Sequence, residues 1–408
     1  MKKTVVIAGA LDTKGAEFAL VKQAIESHGL ATLLVDFGVM GDPPIRPDIS
    51  STEVARAGGG VLEQLRSSGD KSAAMQVMTA GLMVVVRELH AKGQLQGIVS
   101  MGGTGGTAIA TAAMRTLPVG VPKVMVSTVG GGNVSDFVGS SDITIIPSVV
   151  DVAGINRISR LIYLNAAGAI AGMVMLEATP QEKERPLVAA SMFGNTTPCI
   201  DRSRSLLEKN GFEVLVFHAT GTGGKTMKSL VRDGLIDGIL DLTTTELADE
   251  VCGGVFSAGA DRVEMACSRN TPMVLAPGCV DMCNFWARSS VPVAYQKRIL
   301  YEWNPNVTLM RTNVQENARI GEMLAMTANQ AAGPVAVLVP LRGTSMLDSL
   351  DGPFWDPVAD RSCFDAIRKN IRSQIPFEEV DSNINDPIFA DRATQRLLDM
   401  MERNSEEA

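Results

Sequence analysis

The sequence holds only three histidines, and its six cysteines, at 199, 252, 267, 279, 283 and 363, form no dense framework. Cys279 and Cys283 lack Cys-x-x-Cys spacing and have no histidine nearby, so no cysteine–histidine metal site is expected. No Ser-His-Asp set can be assembled either. An excess of base is also missing: 37 Lys and Arg stand against 45 Asp and Glu, a formal net charge of −8. Without a basic surface to displace phosphate counterions, nucleic acid is not an expected partner. The apolar run from Thr4 to Leu11 is interrupted by Asp12 and Lys14 too early for a secretory leader. The run from Leu161 to Leu176 is shorter than a membrane span and contains Asn165 and several small residues, which suits a buried helix at a domain or subunit contact. No membrane partner is expected, and scattered reduced thiols point to the cytoplasm.

What is present is alternation. A chain of 408 residues exceeds the usual size of one core, and a 45% hydrophobic share supports two. Apolar runs at Thr4 to Ala8, Thr32 to Val35, 97 to 101 and Lys123 to Ser127 are separated by helical stretches at Ala16 to Ser27, 52 to 66 and 71 to 91. Near-continuous apolar strands between helices predict a parallel sheet covered on both faces. The pattern restarts after the polar stretch 179 to 184, with strands at Leu187 to Met192, Glu213 to Phe217 and Gly238 to Asp241. The expected fold is therefore α/β, with two Rossmann-like doubly wound parallel-sheet subdomains and a cleft between them. Residues 1–180 form the nucleotide-binding half and residues 185–408 complete the cleft.

Chemistry is expected beyond the carboxyl ends of the strands, where ligands bind open parallel sheets. In the first half, Gly97 to Met101 breaks into Gly102, Gly103, Thr104, Gly105, Gly106 and Thr107 before an Ala-rich helix. Glycine lets a ligand approach the backbone, and free N–H groups at a helix start attract phosphate or carboxylate. Asp12, Thr13 and Lys14 follow the first strand: Lys14 can neutralise phosphate, and Asp12 can hold Mg²⁺ or act as a base. The competing reading makes Asp12 and Thr13 helix caps. Gly130 and Gly131 follow a further strand.

The second half offers Gly221, Thr222, Gly223, Gly224 and Lys225, with Glu246 or Asp281 as a general base and Arg342 to Ser345 nearby. For Glu246, a place in the first turn of a capped helix is the competing reading. Ala219 stands where a strict P-loop needs its first glycine, and the first half has a lysine-free counterpart, so duplication explains the spacing without P-loop ancestry. Gly9 to Gly15 is not the dinucleotide fingerprint, although Asp36 ends the next strand where a ribose-binding acid could sit.

Together, Leu11 to Gly15, Gly102 to Thr107, Gly130 to Asn133, His218 to Gly224 and Asp241 to Glu246 resemble the ATP-binding domain family of plant tobamovirus-resistance proteins and their bacterial relatives. The resemblance runs in order over nearly the whole chain. It implies two Rossmann-like subdomains, ATP with magnesium, and a homodimer or higher homo-oligomer. The plant proteins' binding of a viral helicase is an acquired interaction and is not carried over. The expected function is an ATP-binding cytoplasmic enzyme, a hydrolase or group-transfer enzyme acting on a small anionic substrate. The alternative is a non-catalytic nucleotide sensor or partner-binding protein, and a third reading is a cleft enzyme that uses no ATP.

Overall fold

In the computed structural model, which describes residues 2–176 and 185–407, the chain divides into two compact units, Met1–Pro180 and Gln181–Ala408. The polar stretch 179–184 lies outside the described residues.

Unit 1 runs β1 (Thr4–Gly9), α1 (Leu11–Ser27), β2 (Ala31–Asp36), α2 (Ser51–Ala57), α3 (Leu62–Ser68), α4 (Lys71–Ala91), β3 (Gly97–Gly102), α5 (Thr104–Met114), β4 (Lys123–Ser127), α6 (Ser135–Val138), β5 (Thr144–Pro147) and α7 (Arg157–Met175). Its sheet has the order β2-β1-β3-β4-β5, parallel throughout. Successive strand residues point to opposite faces. Val6, Ala8 and Ile98 meet Val54, Met78, Leu82 and Ala110 on one side. Val5, Ile7 and Val99 meet Phe18, Val21, Tyr163 and Ile170 on the other.

Two local features depart from the expected pattern. The helix expected over 52–66 is divided, because Gly58 to Gly60 end α2, with Gly59 at φ 80°, and α3 starts only at Leu62. Helix α1 begins at Leu11 instead of Ala16, with a break at Lys14 (φ −132°, ψ 23°). Helices α4 and α7 are long and apolar enough to cross a membrane by length and composition alone. In unit 1 each covers a face of the sheet. The inner side of α7 buries Tyr163, Ala166, Ala167 and Ile170, while Leu161 on its outer side is 61% exposed.

Unit 2 runs β6 (Leu187–Met192), α8 (Thr197–Lys209), β7 (Glu213–His218), α9 (Thr222–Arg232), β8 (Gly238–Thr243), α10 (Thr245–Cys252), β9 (Met273–Gly278), β10 (Met282–Phe285), β11 (Leu300–Asn304), β12 (Val307–Arg311), α11 (Val314–Gln330), β13 (Val335–Pro340), α12 (Pro357–Asn370), β14 (Phe377–Val380) and α13 (Pro387–Glu407). The main sheet, β14-β13-β9-β8-β6-β7, is parallel and repeats the strand order of unit 1 with one strand added. Helices α9, α10, α11 and α12 cover one face and α8 and α13 the other. Between β9 and β13 the chain inserts an antiparallel sheet, β10-β12-β11, which the alternation of strands and helices does not foretell.

Helices α2 and α4 approach backbone to backbone. A Cβ on Gly81 would lie 1.9 Å from the Val54 carbonyl oxygen, and one on Gly58 would lie 2.0 Å from that of Val77. The carbonyls cannot retreat without moving a helix, so Gly81→Ala is expected to lower stability by about 1–3 kcal/mol. Urea unfolding followed by circular dichroism measures this, and an unchanged midpoint would show that the crossing can relax.

Candidate functional site

In both main sheets the chain leaves the first strand one way to the second and the other way to the third, so the following loops diverge and leave a crevice. In unit 1 the crevice beyond β1 and β3 is a cavity of about 590 Å³, within the range typical of small-molecule sites. Phe37, Leu65, Met75, Met78 and Ile109 line it with apolar surface. Asp12, Thr13, Gly105 and Gly106 also line it, as do Arg66 and Lys71.

The glycines at this site divide by what surrounds them. A Cβ on Gly9 would strike the Phe18 ring at 2.1 Å, and one on Gly38 the Asp12 carboxylate at 2.4 Å, so these two are glycines for internal packing. Gly102, at the end of β3, is snug against Gly106, with 3.3 Å from its Cβ position to that Cα. Gly103, Gly105 and Gly106 are different. The nearest protein atoms to their Cβ positions are 3.8, 3.6 and 4.0 Å away, and their φ values are not positive. Gly103 is the extended N-cap of α5 and supplies no side-chain acceptor, so the N–H groups of Thr104, Gly105 and Gly106 start a helix without a side-chain cap. Thr107 faces inward, its hydroxyl 2.7 Å from that of Ser127 and donating to the Gly103 carbonyl.

Asp12 lies beside this loop. Its Oδ2 accepts from the N–H groups of Met40 (2.6 Å) and Gly41 (3.2 Å), and its Oδ1 is buried without a partner. Thr13 only reaches back to the Ala10 carbonyl. Lys14 is turned away from the cavity and donates to the Val152 carbonyl. Lys71 and Arg66 bring positive charge instead, although Arg66 also pairs with Asp42 at 3.3 Å and Asp70 shares the lining; nothing in the local pattern of either cation sets it apart from other surface cations. Buried Asp36 accepts from Leu11 N–H and Gly38 N–H through Oδ1, and burial raises its pKa. It thus holds the turn into α1 and is not placed as a ribose-binding acid. Gly130 packs on Ile145 and Pro147, and neither it nor Gly131 lines the cavity; of the loop 102–107 only Gly105 and Gly106 do.

In unit 2 the glycine loop follows β7, the counterpart of β2, so it is not the equivalent of the 102–107 loop, whose place after β8 is taken by residues 243–245, and the expected explanation by duplication fails. The loop is also already filled. Glu246 Oε1 accepts from Gly221 N–H (2.8 Å) and Gly224 N–H (3.0 Å), and its Oε2 accepts from Arg262 Nε (2.7 Å). Arg262 also forms a two-bonded pair with Asp241, and all three side chains are buried. A Cβ on Gly224 would sit 2.1 Å from the Glu246 carboxylate, and one on Gly223 1.8 Å from the His218 carbonyl. Gly224 therefore admits the protein's own carboxylate, and Gly223 the backbone at the end of β7. Glu246, expected as a general base, instead caps α9, a helix other than its own. Lys225 and Thr222 stay exposed. The phosphate contacts expected of Gly221, Thr222, Gly223, Gly224 and Lys225 have no vacant anion position to serve.

Asp281, the other expected base, is also held. Its carboxylate accepts from Thr344 Oγ1 (3.1 Å) and Ser345 Oγ (2.8 Å). Nearby, Arg311 pairs with Asp360 at 2.6 Å and lies 3.7 Å from Asp348. Burial, reinforced by the Asp348 charge, pushes Asp281 up to about 7 and Asp360 up to about 8. Asp249, clamped by Phe256 and Asn284, is raised by burial to about 7. Cys279 adopts a positive φ of 54° at the end of β9, but burial and the Asp281 charge raise its thiol, the reverse of what a nucleophile needs. Cys283 belongs to a different apolar cluster, with Cys252 and Phe285.

The N-terminal and C-terminal domains of the Uncharacterised protein family (UPF0261) match residues 3–179 and 185–401. The chain belongs to this family. A UPF0261 protein of Clostridium tetani is 45% identical over 404 residues, covering 99% of this chain and all of the relative. One from Rhizobium meliloti, RA0729, is 42% identical over 400 residues, 98% of this chain and 99% of the relative. The ToMV resistance protein Tm-1(GCR237) of Solanum lycopersicum is 39% identical over 337 residues, covering 80% of this chain but 44% of the tomato protein. The family thus joins bacterial members to the tomato proteins. Among solved structures, a putative UDP-N-acetylglucosamine 2-epimerase from Listeria monocytogenes matches at 12% identity over 100% of this chain and 98% of its own. Its TM-score of 0.23 lets its activity say nothing about this family member.

Two predictions follow from the buried charges of unit 2, and all three tryptophans, at 286, 303 and 355, lie in that unit and report on it. Glu246→Ala leaves two loop N–H groups and one side of Arg262 without an acceptor, so unit 2 should lose about 3–5 kcal/mol of stability. Tryptophan emission during urea unfolding measures that loss, and a change under 1 kcal/mol would make the cap dispensable. The second concerns pH. Asp249, Asp281 and Asp360 keep protons in the fold that an unfolded chain, with Asp near 3.9, releases. The folded state therefore binds more protons between about pH 5 and 8, and stability falls as pH rises through that window. Asp360→Asn should flatten the decline, and a tryptophan-monitored stability that rises from about pH 5 to 8 would contradict it.

Proposed function

We propose that unit 1 is a nucleotide-binding unit that takes ATP with magnesium in the cavity beyond β1 and β3. The observation that carries this reading is the set of three glycines, 103, 105 and 106, around which the protein leaves room for side chains. Glycine in a helix costs about 1 kcal/mol relative to alanine, so Gly105 and Gly106 weaken α5 without any internal packing demand. Space for an outside ligand accounts for them. A phosphate would accept from the uncapped N–H groups of α5, with Arg66 and Lys71 offsetting its charge. The apolar lining, adaptable at Met75 and Met78, suits a nucleobase.

The donor set also fits magnesium, which is commonly held by one or two carboxylates plus substrate phosphates. Asp12 Oδ1 is the buried, unpartnered oxygen for it. Held by Asp12, the ion would supply neutralisation of the phosphate charge. Among the acids first considered for chemistry, Glu246 and Asp281 are engaged inside unit 2, which supports the sensor reading over an ATP-dependent enzyme with a second-half general base. Asp12 is the acid that would serve an enzyme here.

Calorimetry with ATP and ADP, with and without Mg²⁺, tests the binding. Gly105→Val and Gly106→Val should weaken ATP at least tenfold, about 1.4 kcal/mol, while leaving unfolding unchanged. Wild-type affinity in the folded variants would remove the loop from the site. Phosphate release would favour the enzyme, and binding without turnover the sensor.

A further inference from the structure

The crevice beyond β6 and β8 in unit 2 has walls of another kind. Phe193, Gly194 and Asn195 follow β6, and a Cβ on Gly194 would lie 3.6 Å from the Trp303 ring. Trp303 sits 6.4 Å from Tyr301, and Phe193, Phe256 and Trp286 continue the wall through edge contacts of 6.1 and 5.4 Å. This chain has only three tryptophans and three tyrosines, yet here Trp286 is 52%, Trp303 43% and Tyr301 37% exposed. Large aromatic surfaces left in water at a strand end are suited to stacking.

The polar atoms at the same end ask for donors. Asn195 is 1% exposed, its backbone carbonyl accepts from Met346 N–H and Asn385 Nδ2, and its side-chain Oδ1 has no partner. Asn385 Oδ1 also has none, and Asp348 Oδ1 has no hydrogen bond, only the 3.7 Å ion pair with Arg311. A carboxylate or a fully ionised phosphate offers only acceptors, which unpartnered oxygens cannot use, and Arg311 is already engaged by Asp348 and Asp360, so an anion finds no free cation there. A sugar ring offers hydroxyl donors on its edge and C–H groups on its face.

We propose that unit 2 binds an uncharged sugar ring at this crevice, stacked on Trp303 beside Gly194, with its hydroxyls donating toward the carboxamide oxygens of Asn195 and Asn385. This site stands apart from the nucleotide reading of unit 1 and replaces the small anion expected as substrate.

The full chain is titrated with glucose, N-acetylglucosamine, glucose 1-phosphate and inorganic phosphate, read by tryptophan emission and calorimetry. A neutral sugar should saturate at or below about 10 mM and shift the emission, with its phosphate ester binding more weakly. Trp303→Ala should reduce sugar affinity at least tenfold, Trp303→Phe should retain most of it, and Gly194→Val should weaken it by placing its methyl groups beside the indole where the ring would stack. Parallel ATP titrations of Trp303→Ala should match wild type, which separates failure here from failure at unit 1. Absence of saturable binding by either neutral sugar, tighter binding of the phosphate ester, or wild-type sugar affinity in both Trp303→Ala and Gly194→Val would each overturn the proposal.

Discussion

The carboxylate of Glu246, shared between two glycine-loop N–H groups and Arg262, answers a demand that every strand-to-helix turn in a parallel sheet creates. Helix starts carry N–H groups that need acceptors, and a buried start without one is destabilising. By also binding Asp241 at β8, Arg262 joins the ends of β8, α9 and α10 into one buried unit. Desolvating such charges is costly, so the assembly is best understood as fixing which loop meets which strand. Unit 1 has the same topology, but its glycine loop follows β3, the third strand, whereas this one follows β7, the second, and the unit 1 loop has no internal carboxylate. That difference makes one loop structural and leaves the other open to a ligand.

A second buried network, around Arg311, ties β12 to the loops after β9 and β13 and to α12. Three aspartates gather on one guanidinium, so burial and mutual repulsion keep protons on some of them near neutral pH. These buried acids set the strand ends of unit 2 apart from unit 1, where Arg66 and Lys71 line the cavity together with Asp12 and Asp70. The two crevices are topological equivalents with different chemistry: uncapped N–H groups and cations in one, aromatic faces and acceptors in the other. Arg311 therefore bears on the stability of unit 2.

Much of the fold was legible in sequence. Lys123–Ser127 and Leu187–Met192 stand where the apolar runs put them, because a strand buried on both faces has to be apolar throughout. The strand-glycine-helix order at 97–107 was equally visible, since it is written in consecutive residues. The antiparallel insertion escaped notice because its strands are short and one, Leu300–Asn304, is largely exposed. Arg66 and Lys71 escaped for a related reason: nothing nearby in the chain marks them as lining a cavity.

Sequence alone determined the two α/β halves, their glycine loops and the acids available at the strand ends, all properties of short contiguous segments. Tertiary structure decided which of these were already occupied. Gly221 and Gly224 meet Glu246 across 25 and 22 residues, Lys14 meets Val152 across 138, and Asp281 meets Thr344 and Ser345 across 63 and 64. Hydrogen bonding is short-ranged in space but indifferent to separation along the chain, so only the folded chain shows which N–H groups still lack an acceptor.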